Sequence, residues 1–195
     1  IGLWEGTTVA QLETLLNAHM QVVSEMNETA ILYRTARFLD GRPLIVAYDL
    51  PDEPDNVQLC PDGQGWCPPI AASVIQQKYT DLKTIDPNRP VFLGLSQGIA
   101  WDSMVWTGQG GYIVPERDYP AYIAGSDIVY YDIFPMDCAR SATCGQAWRV
   151  ALGIDRLYQF SPPNHLVWNT LETSDINANG LQATMQEVRA EAWMS

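Results

Sequence analysis

The chain has 195 residues, 47% of them hydrophobic and 17% charged, with a formal net charge of −12. This is enough apolar material for one domain with its own core and argues against disorder, and no run of ~18 apolar residues exists that would form a transmembrane helix. A surface this acidic repels phosphate backbones, which disfavours nucleic acid as a partner, whereas neutral ligands such as sugars are compatible with it. No secretory leader is visible, and Ile1 is not a natural start, which points to an upstream segment.

Ile1 to Trp4 reads as the tail of a strand. Thr8 to Met20 reads as a helix: Thr8 caps it, Gln11 sits three residues on, and Leu12, Leu15, Leu16 and His19 share one face, which makes His19 a core histidine. Residues 21–26 read as a strand, and Thr29 to Leu39 as a second helix stopped by Asp40-Gly41. Four runs with little polar alternation follow: PLIVAYDL (43–50), PVFLGLS (90–96), DIVYYDIF (127–134) and HLVWNTLE (165–172). Near-continuous apolar strands are buried on both faces, as in parallel sheets. Helical stretches lie between and after them, at Pro69 to Leu82, Pro120 to Ala124 and Gly145 to Phe160, and a final helix starts at the Thr184 to Glu187 box. Strict alternation of strand and helix predicts a single α/β domain over 1–195 with right-handed crossovers.

The four cysteines fall as two close pairs, Cys60 with Cys67 and Cys138 with Cys144. Two local disulfides are the simplest of three connectivities, and a zinc site fits less well because neither pair has two-residue spacing and no histidine is near. Paired cysteines and the sequon Asn27-Glu28-Thr29 predict an oxidising destination, secreted or periplasmic. No cofactor is implied, although an acidic rim could hold Ca²⁺ through oxygen ligands.

In parallel β/α folds the catalytic groups gather at the C-terminal ends of strands. Here those ends carry Asp49, Asp52, Glu53 and Asp55, then Asp132 and Asp137, then Glu172. Asp49, Asp55 and Asp137 read as helix caps or solvated loop charges. Asp52-Glu53-Pro54 at a strand end resembles the Asn-Glu-Pro signature of the clan A glycoside hydrolases. The stretches RPVFLGLSQGIAWD and DYPAYIAGSDIVYYDIFP also resemble bacterial barrel glycosidases. The resemblance implies a β/α barrel of TIM type, a neutral oligo- or polysaccharide substrate, Glu53 as general acid/base ending the fourth strand, and Glu172 as nucleophile ending the seventh. Two strands, 90–96 and 127–134, lie between these residues, which is the spacing of strands four and seven. About six of eight strands are then present, and a complete barrel typically needs about 250 residues.

Glycoside hydrolysis needs one protonated and one ionised carboxyl flanking the scissile bond, about 5–5.5 Å apart in a retaining enzyme. Relative to the clan pattern, Asp52 replaces an Asn that binds the sugar 2-hydroxyl and accepts only when ionised. Phe134 has no hydroxyl where the clan places a Tyr to hold the nucleophile, a role left to Tyr130 or Tyr131. Substrate binding is expected from Asp52, Tyr131, Asp132 and from aromatics on the same rim. Trp66, Trp101, Trp106, Tyr112 and Trp168 crowd there; Trp101 and Trp106 stack on sugar or pack in the core, while Trp148 and Trp168 read as core.

Two other functions fit the sequence. Gly94-Leu95-Ser96-Gln97-Gly98 matches the nucleophile elbow of a serine carboxylesterase, with Ser96 as nucleophile and His165 as the base. Against it, His165 precedes an apolar strand and so lies at the opposite end of a parallel sheet from Ser96. The third is a non-catalytic carbohydrate-binding barrel fragment. An unclosed barrel exposes two strand edges, so a homo-oligomer covering them is expected.

Overall fold

The computed structural model describes residues 2–4 (backbone only), 8–101, 114–136, 145–173 and 182–195. Six strands form one parallel sheet: β1 (Gly2–Trp4), β2 (Val22–Glu25), β3 (Ile45–Asp49), β6 (Val91–Leu95), β7 (Ile128–Tyr131) and β8 (Leu166–Val167). Two further short strands, β4 (Gln58–Leu59) and β5 (Trp66–Cys67), form a separate antiparallel hairpin. The six lie side by side in chain order, β1-β2-β3-β6-β7-β8, and every pairing is parallel. All five residues of β6 are buried, which accounts for its unbroken apolar composition.

The helices pack against one face of this sheet. Leu12 and Leu15 of α1 (Val9–Asn17), Ala30 of α2 (Glu28–Tyr33) and Ile75 and Leu82 of α3 (Ala72–Ile85) belong to one core. Tyr122 of α4 (Tyr119–Ile123) and Val150, Ile154 and Leu157 of α5 (Trp148–Phe160) join the same core, against Ile45, Leu93, Val129 and Tyr131 from the strands. The opposite face carries a small cluster of Val23, Ala47, Phe92 and Ile128 with no helical member. A chain-ordered parallel sheet with helices on one side leaves its other face and its C-terminal rim for a site. The α/β class and parallel sheet expected from the sequence are present. Closure into a barrel is not: among the described residues β1 and β8 are open edges.

The helix starts follow the sequence signals. Thr8 Oγ1 accepts from Gln11 N while Gln11 Oε1 accepts from Thr8 N, and Thr184 with Glu187 repeats the box ahead of α6 (Met185–Trp193). The predicted helix 29–39 is cut to Glu28–Tyr33 and begins at Asn27, whose side chain caps Ala30 N. Phe38 must reach the core, so the chain turns instead at Asp40-Gly41, where Gly41 has φ 83° and Asp40 accepts from Arg42. His19 lies beyond the end of α1, exposed at φ 53°, with its ring stacked on Phe38, and is not a core residue. The run 165–172 forms only a two-residue strand. Residues 51–71, read as loop, contain the β4–β5 hairpin, which the Cys60–Cys67 disulfide clips shut. Cys138 and Cys144 lie outside the described residues.

Trp148 and Trp168 are 49% and 53% exposed, not core residues. Trp168 follows β8 at the edge of the sheet and covers only one side of its ring, edge-on against Phe92. The tight position is Gly153 of α5, where an added Cβ would sit 2.2 Å from the Tyr131 ring. Gly→Ala in a helix ordinarily stabilises by up to about 1 kcal/mol. Here Gly153→Ala is expected to destabilise the protein by about 1–3 kcal/mol through overpacking, read as a lower urea midpoint with an unchanged slope.

Candidate active site

Alternation along β3 puts Asp49 on the open face, beyond Ala47, and the carboxylate is buried rather than solvated. It accepts from Tyr130 Oη at 3.1 Å. Tyr130 lies across Gly94, where a Cβ would come within 2.6 Å of its ring. Burial, then the charges of Asp49 and Asp52, raise the Tyr130 hydroxyl's pKa and keep it a donor.

The loop after β3 holds the acidic group. Glu53 sits at φ 39°, a left-handed conformation unusual for a residue with a side chain. Its backbone oxygen accepts from Asn56 N at 2.9 Å and Gln58 Nε2 at 3.0 Å, and its Oε2 accepts from Asn56 Nδ2 at 2.6 Å. Asp55, read from sequence as a loop charge, is 6% exposed. It accepts from Ser96 N and Ser96 Oγ, both at 2.8 Å, and from Tyr119 Oη at 3.4 Å. Burial pushes its carboxyl up to about 7, against the downward pull of the two Ser96 bonds.

Asp132 follows β7 directly, its N–H bonded to Leu95 O at 3.3 Å. Burial first, then the charge of Glu53, then those of Asp52 and Asp55, push Asp132 up to about 9. Glu172, 2% exposed, accepts at Oε2 from Met136 N at 2.8 Å. Its own N–H donates to Glu191 Oε2 at 3.0 Å. Glu191, fully buried on α6, is pushed to about 7 by burial, with the Glu172 and Glu187 charges acting the same way. Thus Glu172 bonds to the far end of the five-residue segment 132–136 that leaves β7, and the Glu53 charge acts on Asp132 at its start. Four peptide steps span at most about 14 Å fully extended, and this segment turns at its end.

Three expectations need correction. Tyr131 is buried on the helix side, donating to Arg149 O at 3.1 Å and Val150 O at 2.7 Å, so it is not placed to bind substrate. The period of two along β7 gives the rim face to Tyr130 instead. Ser96 is not on an elbow. It is buried at φ −71°, accepts from Gly98 N at 3.3 Å as cap of a single 3₁₀ turn, and donates to Asp55. His165 Nε2 lies 3.3 Å from Ser126 Oγ, before β7 and β8, and His19 is on Phe38, so no histidine serves Ser96 as a base. Asp49 and Asp55, finally, are buried hydrogen-bonded groups rather than caps or solvated charges.

Trp101 donates from Nε1 to Gln97 Oε1 at 3.4 Å, and the Arg149 guanidinium lies 5.2 Å from its ring centroid. Trp66 is 40% exposed on the β4–β5 hairpin. Trp106, Tyr112 and Asp137 lie outside the described residues. Among the described residues, no group of three or more His, Cys, Asp or Glu is arranged to hold a metal ion. No described helix is long and apolar enough to cross a membrane.

No protein-family model and no curated protein sequence matches the chain. Among solved structures, it is similar to parts of glycosyl hydrolase family 2 (GH2) proteins. A GH2 beta-galacturonidase from Eisenbergiella tayi, solved with galacturonate, aligns at a TM-score of 0.43 and 14% identity, over 85% of this chain and 28% of that one. A GH2 member from Bacteroides cellulosilyticus aligns at 0.37 and 13% identity, over 96% and 26%. The chain thus spans between a quarter and a third of the length of these neighbours.

Proposed function

We propose that this chain is the catalytic β/α unit of a retaining glycoside hydrolase that cuts a neutral oligo- or polysaccharide. Its six strands are consecutive strands of a β/α barrel, with Glu53 as general acid/base and Glu172 as nucleophile. The observation that supports the reading is the bond from Met136 N to Glu172, at the far end of the segment whose first residue, Asp132, feels the Glu53 charge. Two carboxyls in unlike surroundings are what the chemistry needs: Glu53 bonded by the Asn56 side chain in the acidic loop, and Glu172 accepting a backbone N–H. Asp52, whose charge acts on Asp132, is the candidate for binding a sugar hydroxyl. The stacking aromatic surface is supplied by Trp101 and the exposed Trp168.

The test is a panel of aryl glycosides and polysaccharides, with the wild type beside Glu53→Gln and Glu172→Gln. Hydrolysis that both variants abolish supports the reading; hydrolysis untouched by either removes it. The Cys60–Cys67 disulfide supports a secreted or periplasmic location. The open β1 and β8 edges support a homo-oligomer in which a second copy covers them. Sizing with light scattering is expected to give twice the 21.8 kDa chain mass or more, and a monodisperse monomer would refute the oligomer.

A further inference from the structure

A helical turn ends with carbonyls that have no partner inside it. The 3₁₀ turn after β6, Gln97–Ala100, ends this way, and Trp101 is the residue that closes it. Two arginines of α5 take up these carbonyls. Arg156 Nη1 donates to Ile99 O at 2.7 Å and also to Trp101 O. Arg149 donates from Nη1 to Ala100 O and from Nε to Gln146 Oε1, both at 2.8 Å. At the start of the turn, Ser96 is tied through N and Oγ to Asp55, in the loop that holds Glu53. The backbone that carries Trp101 is therefore fastened at both ends by residues distant in sequence.

The indole is held as well. Its Nε1 donates to Gln97 Oε1 at 3.4 Å, and the Arg149 guanidinium lies over the ring, 5.2 Å from its centroid. The same guanidinium lies over the Trp148 ring at 4.7 Å. Arg149 is 6% exposed, so these contacts fix its plane. A cation over one face of the Trp101 ring leaves only the other face for a ligand, and the apolar C–H side of a sugar ring suits such a surface. Holding the ring before the ligand arrives removes the cost of ordering it from binding. We infer that Arg149 is a positioning residue for Trp101, holding the indole as a fixed platform for one sugar ring of the substrate. The inference rests on the proposed glycoside substrate and names the residue that sets its stacking surface.

Lysine cannot replace this arginine. An ammonium has a single nitrogen and no plane, so it cannot bond Ala100 O and Gln146 Oε1 from separate atoms while stacking on two rings. The platform touches a part of the substrate that does not react, so its contact is equal in the ground and transition states. Loosening it therefore raises KM and spares kcat. An arginine with only a structural role behaves otherwise, since its loss lowers the folded fraction and hence kcat at an unchanged KM.

The experiment uses the full chain as wild type, Arg149→Lys and Gln146→Met, each with and without Trp101→Ala. Gln146→Met removes only the acceptor of Arg149 Nε and keeps the test open should Arg149→Lys fail to fold. Near-ultraviolet circular dichroism reads the indole without turnover, because only a ring held in one orientation contributes strongly. The signal that Trp101→Ala removes from wild type is expected to shrink by about half or more in the Arg149→Lys background, and by less in Gln146→Met. A Trp101 signal of full size in the folded variants would overturn the positioning role. On the aryl glycoside of the panel that wild type cleaves fastest, Arg149→Lys should raise KM about fivefold or more and keep kcat within about twofold. In the Trp101→Ala background that rise should disappear. A rise that persists there, or a fall in kcat alone, would show that Arg149 does not act through Trp101. The expected loss of dichroism in a protein that cleaves no glycoside would instead sink the hydrolase reading and leave Arg149 as the mount of Trp101.

Discussion

From pH 5 to pH 9 the folded protein is expected to lose stability steadily, with its melting temperature falling by about 10 °C or more. The reason is the sign of its buried carboxyl shifts. Asp55 and Asp132 are raised to about 7 and about 9 in the folded state, and Glu191 to about 7. An unfolded carboxyl titrates near 4. Between those limits the folded state binds more protons than the unfolded one, so each pH step upward favours unfolding. The stability these groups contribute is fully present below about pH 4, declines through the neutral range and is gone above the folded values. Asp55 alone, displaced by about three units, corresponds to about 4 kcal/mol, and a chain of this size melts about 2–4 °C lower per kcal/mol. Asp40 and Glu187 shift downward, but both are exposed and add little of the opposite sign. Thermal melts at half-unit pH steps check the slope. Asp55→Asn should flatten it below pH 8, and Asp132→Asn across the whole range up to about pH 9. A melting temperature that stays level or climbs between pH 5 and 8 would contradict this account.

Glu172→Gln is expected to lower kcat on aryl glycosides by about 10⁴-fold or more, the scale on which removal of a nucleophile acts. Glu53→Gln should cost about 10²–10⁴-fold with poor leaving groups and much less with activated ones, since only the former need a proton. Glutamine preserves an acceptor for Met136 N, so loss of activity with an unchanged melting curve separates chemistry from folding. A second readout tells nucleophile from scaffold. In Glu172→Ala, added azide should restore turnover and yield a glycosyl azide of inverted anomeric configuration, because the anion occupies the vacated position. Rescue that leaves the product unchanged, or no rescue with a folded variant, would place Glu172 among supporting residues.

The sequence carried the alternation of strands and helices because the strands of this sheet are buried on both faces. Runs such as VFLGL need no period to be recognised. Thr8 with Gln11 and Thr184 with Glu187 marked two helix starts to the residue, since those contacts are local. Cys60 and Cys67 found each other for the same reason. What stayed hidden depends on distant partners. Asp55 looks like any loop aspartate until Ser96, 41 positions on, closes over it. Tyr130 and Tyr131 are adjacent and chemically alike, and only the register of β7 against β6 decides which meets the rim and which meets α5. The period was available, and counting it outward from Ile128 would have chosen Tyr130. Trp168 sits in an apolar run but beside the last strand of the sheet, and about half of it stays exposed.

The strict chain order of the sheet has a kinetic consequence. Each strand of the six pairs with the one laid down before it, so no pairing waits for a segment made much later. Closing each crossover costs loop entropy once, over a single strand-to-strand excursion, and that cost grows only slowly with length. Such a sheet can grow from its first strand outward as the chain emerges from the ribosome. The widest detour, between β3 and β6, carries a covalent clip.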